Sequence, residues 1–407
     1  RGQRIHHDGG GGGVSGEALA IVAAFVAALV ISAATCAAML ALSKRRGWYD
    51  AVGGEAHKRH ERPVPNTGGV GVFLGIAAPM AVALATAWLL SPGAEAGWRQ
   101  HLPGLRSVTP AGLVLLGGLL AVHMTGLIDD RKSLSAWPKL VVQVVVALGV
   151  ILFGNVYALE AVFALMPWGA AVAVVLAINL AWIIAVTNAI NFLDNMDGLA
   201  GGVSAIVAAA YLAMACLAGQ WFVAAASAAV LGACLGFLLF NYPPAKLFMG
   251  DGGSLVLGFL LAVIAVRTTY FSPGLTGSGG DGTPPGGGVG GPAWYGVLTP
   301  LVVLAVPLYD FTSVTLIRLS QGRSPLRGDH QHLSHRLADA APPGLGLGRR
   351  GAVWAVWLCT AATAAGGVLL PRLGATGAVV VAVQTLAILG VLACLERPWL
   401  RLGEAPR

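Results

Sequence analysis

Apolar runs long enough to cross a bilayer recur along the whole chain, and this recurrence restricts the fold more than any other feature. A bilayer core takes about 20 apolar residues wound as a helix. About eleven stretches approach that length, at 18–42, 70–90, 111–128, 140–153, 169–186, 199–217, 221–240, 255–266, 294–316, 353–370 and 377–395. In lipid every backbone N–H and C=O must be paired inside the protein, so such runs become helices. The expected class is therefore all-α, a polytopic transmembrane helical bundle of about eleven spans. Only 11% of residues are charged, against roughly 25% in soluble proteins, too few to cover a water-facing surface. The first run is too long for a signal-peptide core and ends in Lys44-Arg45-Arg46, which reads as a retained span. The expected layout is an extracytoplasmic tail at 1–17, one membrane domain at 18–395 and a cytoplasmic tail at 396–407.

An odd number of spans puts the termini on opposite sides. Nineteen of the 25 Lys and Arg fall in the C-terminal tail and in the loops after the first, third, fifth, seventh and ninth spans. Positive charge marks the cytoplasm, so the N-terminus is expected outside and the C-terminus inside. The net charge of +7 then reports orientation, not affinity for nucleic acid. The five cysteines all lie in apolar runs, with neither metal spacing nor a secreted disulfide pattern, and read as small buried thiols. Residues 272–292, rich in Gly, Ser and Pro, read as a flexible outer loop without chemistry. Residues 154–168 read either as a short excursion from the membrane or as part of a longer span.

Lys and Arg alone set this orientation, yet the acids and histidines fall on the same side. Asp129 and Asp130 follow the third run in Gly126-Leu-Ile-Asp-Asp-Arg-Lys-Ser-Leu-Ser-Ala-Trp-Pro-Lys139. Adjacent carboxylates repel and call for a cation or a proton, and Lys139 opens the next span, where it can meet a phosphate. Asn188, Asn191 and Asp194, spaced by three, share a helical face, with Asp197 just beyond. Such amides and carboxylates suit a base, a ribose or metal-bound water. Lys246 and Asp251 lie in Pro243-Pro-Ala-Lys-Leu-Phe-Met-Gly-Asp-Gly-Gly-Ser254 at the start of the eighth span. Glycines there let the backbone approach a phosphate at a helix N-terminus, and Asp251 supplies a hard oxygen for Mg²⁺. Asp310 lies within the ninth span, and His330, His332, His335 and Arg336 follow it. An intramembrane carboxylate is costly; Asp310 is expected to support the following loop, not to bind metal. Three histidines raise zinc, but with no cysteine beside them and arginines close by, a diphosphate fits better. Lys58 and His60 precede a Pro-x-Pro and a Gly-Gly pair.

Each motif alone has a plainer reading: a solvated helix end, a set of helix caps, a glycine turn, a basic loop on anionic lipid, or positive-inside charge. All of them on one face of a membrane point to an enzyme that joins a water-soluble donor to a lipid acceptor. A transporter more often gathers such groups near the midplane.

Together the motifs GLIDDRKSLSAWPKL, NAINFLDNMDGLAGG, PPAKLFMGDGGSLVLGF, PLYD and SPLRGDHQHLSHRL resemble the polyprenyl-phosphate N-acetylhexosamine-1-phosphate transferases. The likeness runs in order from about Lys58 to Arg336, with about eleven spans. It implies transfer of a sugar-1-phosphate, GlcNAc-1-phosphate foremost, from a UDP-sugar to undecaprenyl phosphate, with release of UMP and initiation of a cell-envelope glycan. It implies Mg²⁺, with Mn²⁺ as the alternative ion, and a multi-pass protein of the bacterial inner membrane with a cytoplasmic active site. Asp129, Asp130 and Asp251 would be catalytic, the pair acting at the lipid phosphate. Asp251 and Asp194 would hold the metal. Lys58, His60, Lys139, Asn188, Asn191, Asp194, Asp197, Lys246, His332, His335 and Arg336 would bind substrate. The implied partners are the two substrates, membrane lipid and a second copy in a homodimer, with no nucleic acid.

Three positions depart from the resemblance. Asn195 stands where Gly is commoner, Ser334 replaces one histidine of a frequent His-His pair, and His330 stands where Arg is common. The muramyl-pentapeptide branch usually has a triple-His motif and a Pro-Thr-Met-Gly-Gly element, both absent here, and ranks second. A multispan transporter is the rival from another class. A CDP-alcohol phosphotransferase lacks its Asp-Gly…Ala-Arg…Gly…Asp…Asp series.

Overall fold

The structure is a computed structural model that describes residues 16–48, 64–90, 102–154, 167–270, 298–324, 331–339 and 347–402. These residues form helices with no strand among them. Ten helices are long and apolar enough to cross a membrane: α1 (Gly16–Arg46), α2 (Gly68–Leu89), α4 (Thr109–Lys132), α5 (Ala136–Phe153), α6 (Trp168–Leu193), α7 (Leu199–Leu217), α8 (Trp221–Asn241), α9 (Asp251–Tyr270), α13 (Gly348–Leu369) and α14 (Ala375–Leu402). Short α3 (Leu102–Ser107) and α12 (Leu333–Asp339) lie between spans.

The expected ninth span is broken into α10 (Thr299–Val303) and α11 (Ala305–Ser320) at Leu304. Pro307 has no N–H to give to the preceding turn, which favours a break at this point. Among the described residues, this broken helix and the ten long helices match the expectation of about eleven spans. Two helices overrun their apolar cores. α6 continues through Asn188 and Asn191, and α14 continues past the expected end at residue 395.

α9 is the axis of the bundle. Gly252 through Val266 are all buried, and α9 packs against α6, α4, α2, α7 and α8. Two glycines let the neighbouring helices touch its first turn. A Cβ on Gly126 of α4 would overlap the Asp251 backbone, and one on Gly69 of α2 would overlap that of Gly253. At the periphery, Leu19, Val22, Val26 and Val30 of α1 and Val379, Val380, Val383 and Leu386 of α14 are exposed. Apolar stripes of this length are lipid-facing surfaces. The protein is an all-α, multi-pass membrane bundle.

Candidate active site

The starts of α2, α5 and α9 and the ends of α4 and α6 meet at one end of the bundle. The segment before α2 runs beside the loop before α9. Phe248 N–H donates to the Pro65 carbonyl (2.9 Å), and the Gly68 and Gly69 N–H groups donate to the carbonyls of Phe248 (2.8 Å) and Met249 (2.9 Å). This zipper brings Asn66 to Asp130, to which its amide donates at 3.0 Å.

The adjacent aspartates hold different positions. Asp130 accepts the backbone N–H groups of Asp251 (2.9 Å) and Gly252 (3.1 Å). It thus caps α9 from another helix, where a negative charge is favoured. Asp129 accepts Leu134 N–H (2.5 Å) and pairs with the Lys139 ammonium (2.7 Å). The same ammonium lies 3.3 Å from Asp251, and the Asp129 and Asp251 carboxyl groups are within hydrogen-bonding reach of each other. Asn191, near the end of α6, donates to Asp251 (3.0 Å) and Ser254 (2.8 Å). Behind Gly252, the buried His123 ring lies 2.7 Å from its carbonyl and stacks on Phe73.

The remaining expected residues occupy neighbouring ground. Asn188, one turn below Asn191, donates to Gln143 (2.7 Å) of α5 and to its own helix. Asp194 ends α6, its N–H closing on the Asn191 carbonyl at 3.1 Å. Asp197 accepts Ala245 N–H (2.9 Å), which fastens the loop leading to α9, and Lys246 on that loop is exposed. Lys58 and His60 lie outside the described residues, as do His330 and the loop at 272–292.

The histidine motif forms a second group around α12. Asp310 is buried and accepts Leu333 N–H (2.6 Å), with the His332 ring nitrogen 3.1 Å from its other oxygen. It anchors the motif, as expected of an intramembrane carboxylate beside that loop. The last turn of α6 connects the two groups. Phe192 lies against the rings of His332 and Phe311 and under the Arg318 guanidinium, and Asn195 accepts the Ser334 hydroxyl at 2.5 Å. Two of the three departures from the resembled pattern, Asn195 and Ser334, are thus each other's partners. His335 is half-buried on α12, whereas Arg336 is fully buried.

Motif reading left out Asn66, Gln143, Ser254 and His123. Ser254 sits inside a quoted motif, and Asn66 lies between the Pro-x-Pro and the Gly-Gly pair. Gln143 and His123 are polar side chains inside spans, where burial in lipid is expensive and a partner is implied; that cost is the signal that finds them.

Asp129 and Asp251 share the Lys139 ammonium, with the Asp130 carboxylate beside them on the α9 backbone, so this cluster is rich in carboxylate oxygen. Among the described residues no group of three His, Cys, Asp or Glu forms a cage for a metal. Hard oxygens of this kind suit Mg²⁺, which is usually held by one or two carboxylates plus substrate phosphates. The donor set therefore fits that ion.

The family model for glycosyl transferase family 4 matches residues 112–269, which carry the aspartate pair, Lys139, the asparagine stretch and Asp251. A Bacillus subtilis protein named "Probable undecaprenyl-phosphate N-acetylglucosaminyl 1-phosphate transferase" is 28% identical, over 74% of this chain and 72% of its own. The decaprenyl-phosphate N-acetylglucosaminephosphotransferase of Mycobacterium leprae is 31% identical, over 68% and 67%. The phospho-N-acetylmuramoyl-pentapeptide-transferase of Heliobacterium modesticaldum is 33% identical, over 61% and 75%. With these relatives and this convergence of motifs at one end of a helical bundle, the chain belongs to glycosyl transferase family 4.

Proposed function

We propose that this protein transfers GlcNAc-1-phosphate from UDP-GlcNAc to a polyprenyl phosphate, undecaprenyl phosphate foremost, at the cytoplasmic face of the bacterial plasma membrane. The observation that carries the reading is the cluster of Asp129, Lys139, Asn191 and Asp251, assembled from four helices at one end of the bundle. A diphosphate and a lipid phosphate meet naturally at that level, one arriving from water and one from the bilayer. The names of the relatives supply the sugar and the lipid.

In the reaction a lipid phosphate oxygen attacks the β-phosphorus of the donor. The bond from that phosphorus to the bridging oxygen breaks, UMP leaves, and a polyprenyl diphosphate sugar remains. Such transfers need positioning and charge neutralisation more than covalent help from the protein. Asp251, with Asp194 at the end of α6, would hold Mg²⁺ together with the substrate phosphates. Bound there, the ion supplies charge neutralisation to the diphosphate. Lys139 holds Asp129 and Asp251 together and offers the one positive charge at the centre of the cluster. Asp130 fixes the first turn of α9 by accepting its first two N–H groups, and so sets where Asp251 stands. Asn191 fixes the rotamer of Asp251, and the group around His332 and His335 closes the site on the sugar side.

The test is incubation of purified protein with undecaprenyl phosphate, Mg²⁺ and a panel of UDP-sugars, reading UMP. Release with UDP-GlcNAc supports the proposal. Release only with UDP-N-acetylmuramoyl-pentapeptide moves the protein to the second reading, which the Heliobacterium relative favours. No release with any donor sinks both.

A further inference from the structure

Arg336 belongs to the histidine motif, yet it has no exposed surface. Its Nη2 donates to the Ser313 hydroxyl of α11 (2.7 Å) and lies 3.0 Å from a Glu396 oxygen. Glu396 is on α14, the last span, and is itself buried; its other oxygen accepts the Tyr309 hydroxyl of α11 at 2.6 Å. The Arg336 Nε and Nη1 are buried without a hydrogen-bond partner among the described residues. A guanidinium so poorly supplied with acceptors is held in place mainly by its counter-charge, and removal of one member of a buried ion pair strands the other.

α12 has seven residues, too few to be stable alone. Besides the burial of Leu333 and Leu337 against the core, three polar ties hold it: Leu333 to Asp310, Ser334 to Asn195, and Arg336 to Ser313 and Glu396. The first leads to α11 and the second to the end of α6. The third leads to α11 and, through Glu396, to α14, a helix outside every motif. A fully buried guanidinium also offers no surface to a donor diphosphate.

We infer that Glu396 is a positioning residue: with Tyr309 it clamps Arg336, and through it sets the seat of α12, so that His332 and His335 meet the sugar-phosphate donor. The inference rests on the proposed transferase reading for its substrate and on geometry alone for the clamp.

The experiment uses the full-length protein in detergent, comparing wild type with Glu396→Gln, Arg336→Gln, the double variant and the milder Tyr309→Phe. Each charge-removing single variant should raise KM for UDP-GlcNAc about tenfold, the scale of a hydrogen bond to a charged group. KM for undecaprenyl phosphate should not move. The double variant should be no worse than the worse single variant, because two neutral amides can pair where a lone charge cannot. Tyr309→Phe should show a smaller shift of the same kind. Multiplying effects in the double variant, or equal changes in both KM values, would overturn the clamp. A second readout needs no turnover: a spin label on Asp339→Cys, in a background without native cysteines, should become more mobile in Glu396→Gln. An unchanged spectrum refutes the clamp even if the donor proves to be a different sugar. Absence of turnover in wild type would instead count against the transferase reading.

Discussion

The Lys139 ammonium lies between Asp129 at 2.7 Å and Asp251 at 3.3 Å, the second of them 112 residues away in the chain. All three side chains are partly exposed, so this is a pair of solvent-screened contacts and not a buried stabilising bridge. Its importance is to hold two carboxylates close together where phosphates arrive. Lys139→Met should therefore leave the fold intact and lower kcat/KM by about 10²-fold, the scale for removing one preorganised charge-stabilising group. Extra Mg²⁺ should restore part of the loss, because a cation again separates the carboxylates. UMP release measured across Mg²⁺ concentrations checks this, and wild-type turnover in the variant would show that Lys139 is a bystander.

Asp129 and Asp130 are neighbours in sequence but should fail differently. Asp130 supports three donors, Asn66 and the Asp251 and Gly252 N–H groups. Asp130→Ala strands two backbone groups at the first turn of the central helix, at a cost of about 1–3 kcal/mol. Its thermal midpoint in detergent should fall along with activity. Asp129→Ala should lose activity with a smaller thermal shift. Equal thermal shifts in the two variants would contradict this division of labour.

The spans, and the gathering of the motifs at one end of them, were legible in the sequence because lipid tolerates few solutions, and helix length follows from bilayer thickness. The meeting of Asp129, Lys139 and Asp251 was foreshadowed, since the positive-inside rule alone put them at one end. Long-range partners were not legible. Nothing local says that Asp130 caps a helix more than a hundred residues on, or that Asn191 turns toward Ser254 while Asn188 turns toward Gln143. Nor does the motif show that Arg336 points into the protein, since its counter-charge lies on the last helix.

The orientation itself is testable at Ser133, exposed just past the end of α4. Positive-inside charge places it in the cytoplasm. Ser133→Cys, in a background without native cysteines, should react with a membrane-impermeant thiol reagent only after the inner membrane is opened. Ready labelling of intact spheroplasts would reverse the topology.

The Asn195–Ser334 hydrogen bond ties the end of α6 to α12 across 139 residues. If the two side chains act as one unit, Asn195→Ala and Ser334→Ala should each weaken donor use, and together should do little more. A coupling of about 0.5–1.5 kcal/mol is expected for a neutral hydrogen bond. The cycle is read in kcat/KM for UDP-GlcNAc, and strict additivity would show that the contact has no part in donor binding.

The last prediction concerns the metal. Asp251 opens α9, at the helix end where phosphate is favoured. A carboxylate there repels a diphosphate unless a cation stands between them, and Lys139 supplies one charge that Asp129 and Asp251 share. Asp251→Asn keeps the side-chain size and leaves an oxygen for the Asn191 amide, yet removes the charge that would hold Mg²⁺. Turnover should fall by about 10²-fold or more, with insertion and thermal midpoint little changed, and raised Mg²⁺ should recover only a fraction. Asp129→Asn should also lose turnover, but chiefly through the lipid acceptor, with UDP-GlcNAc binding less affected. Turnover against Mg²⁺ concentration for wild type and both variants decides the matter. Near-normal turnover of Asp251→Asn at ordinary Mg²⁺ would remove Asp251 from the metal site.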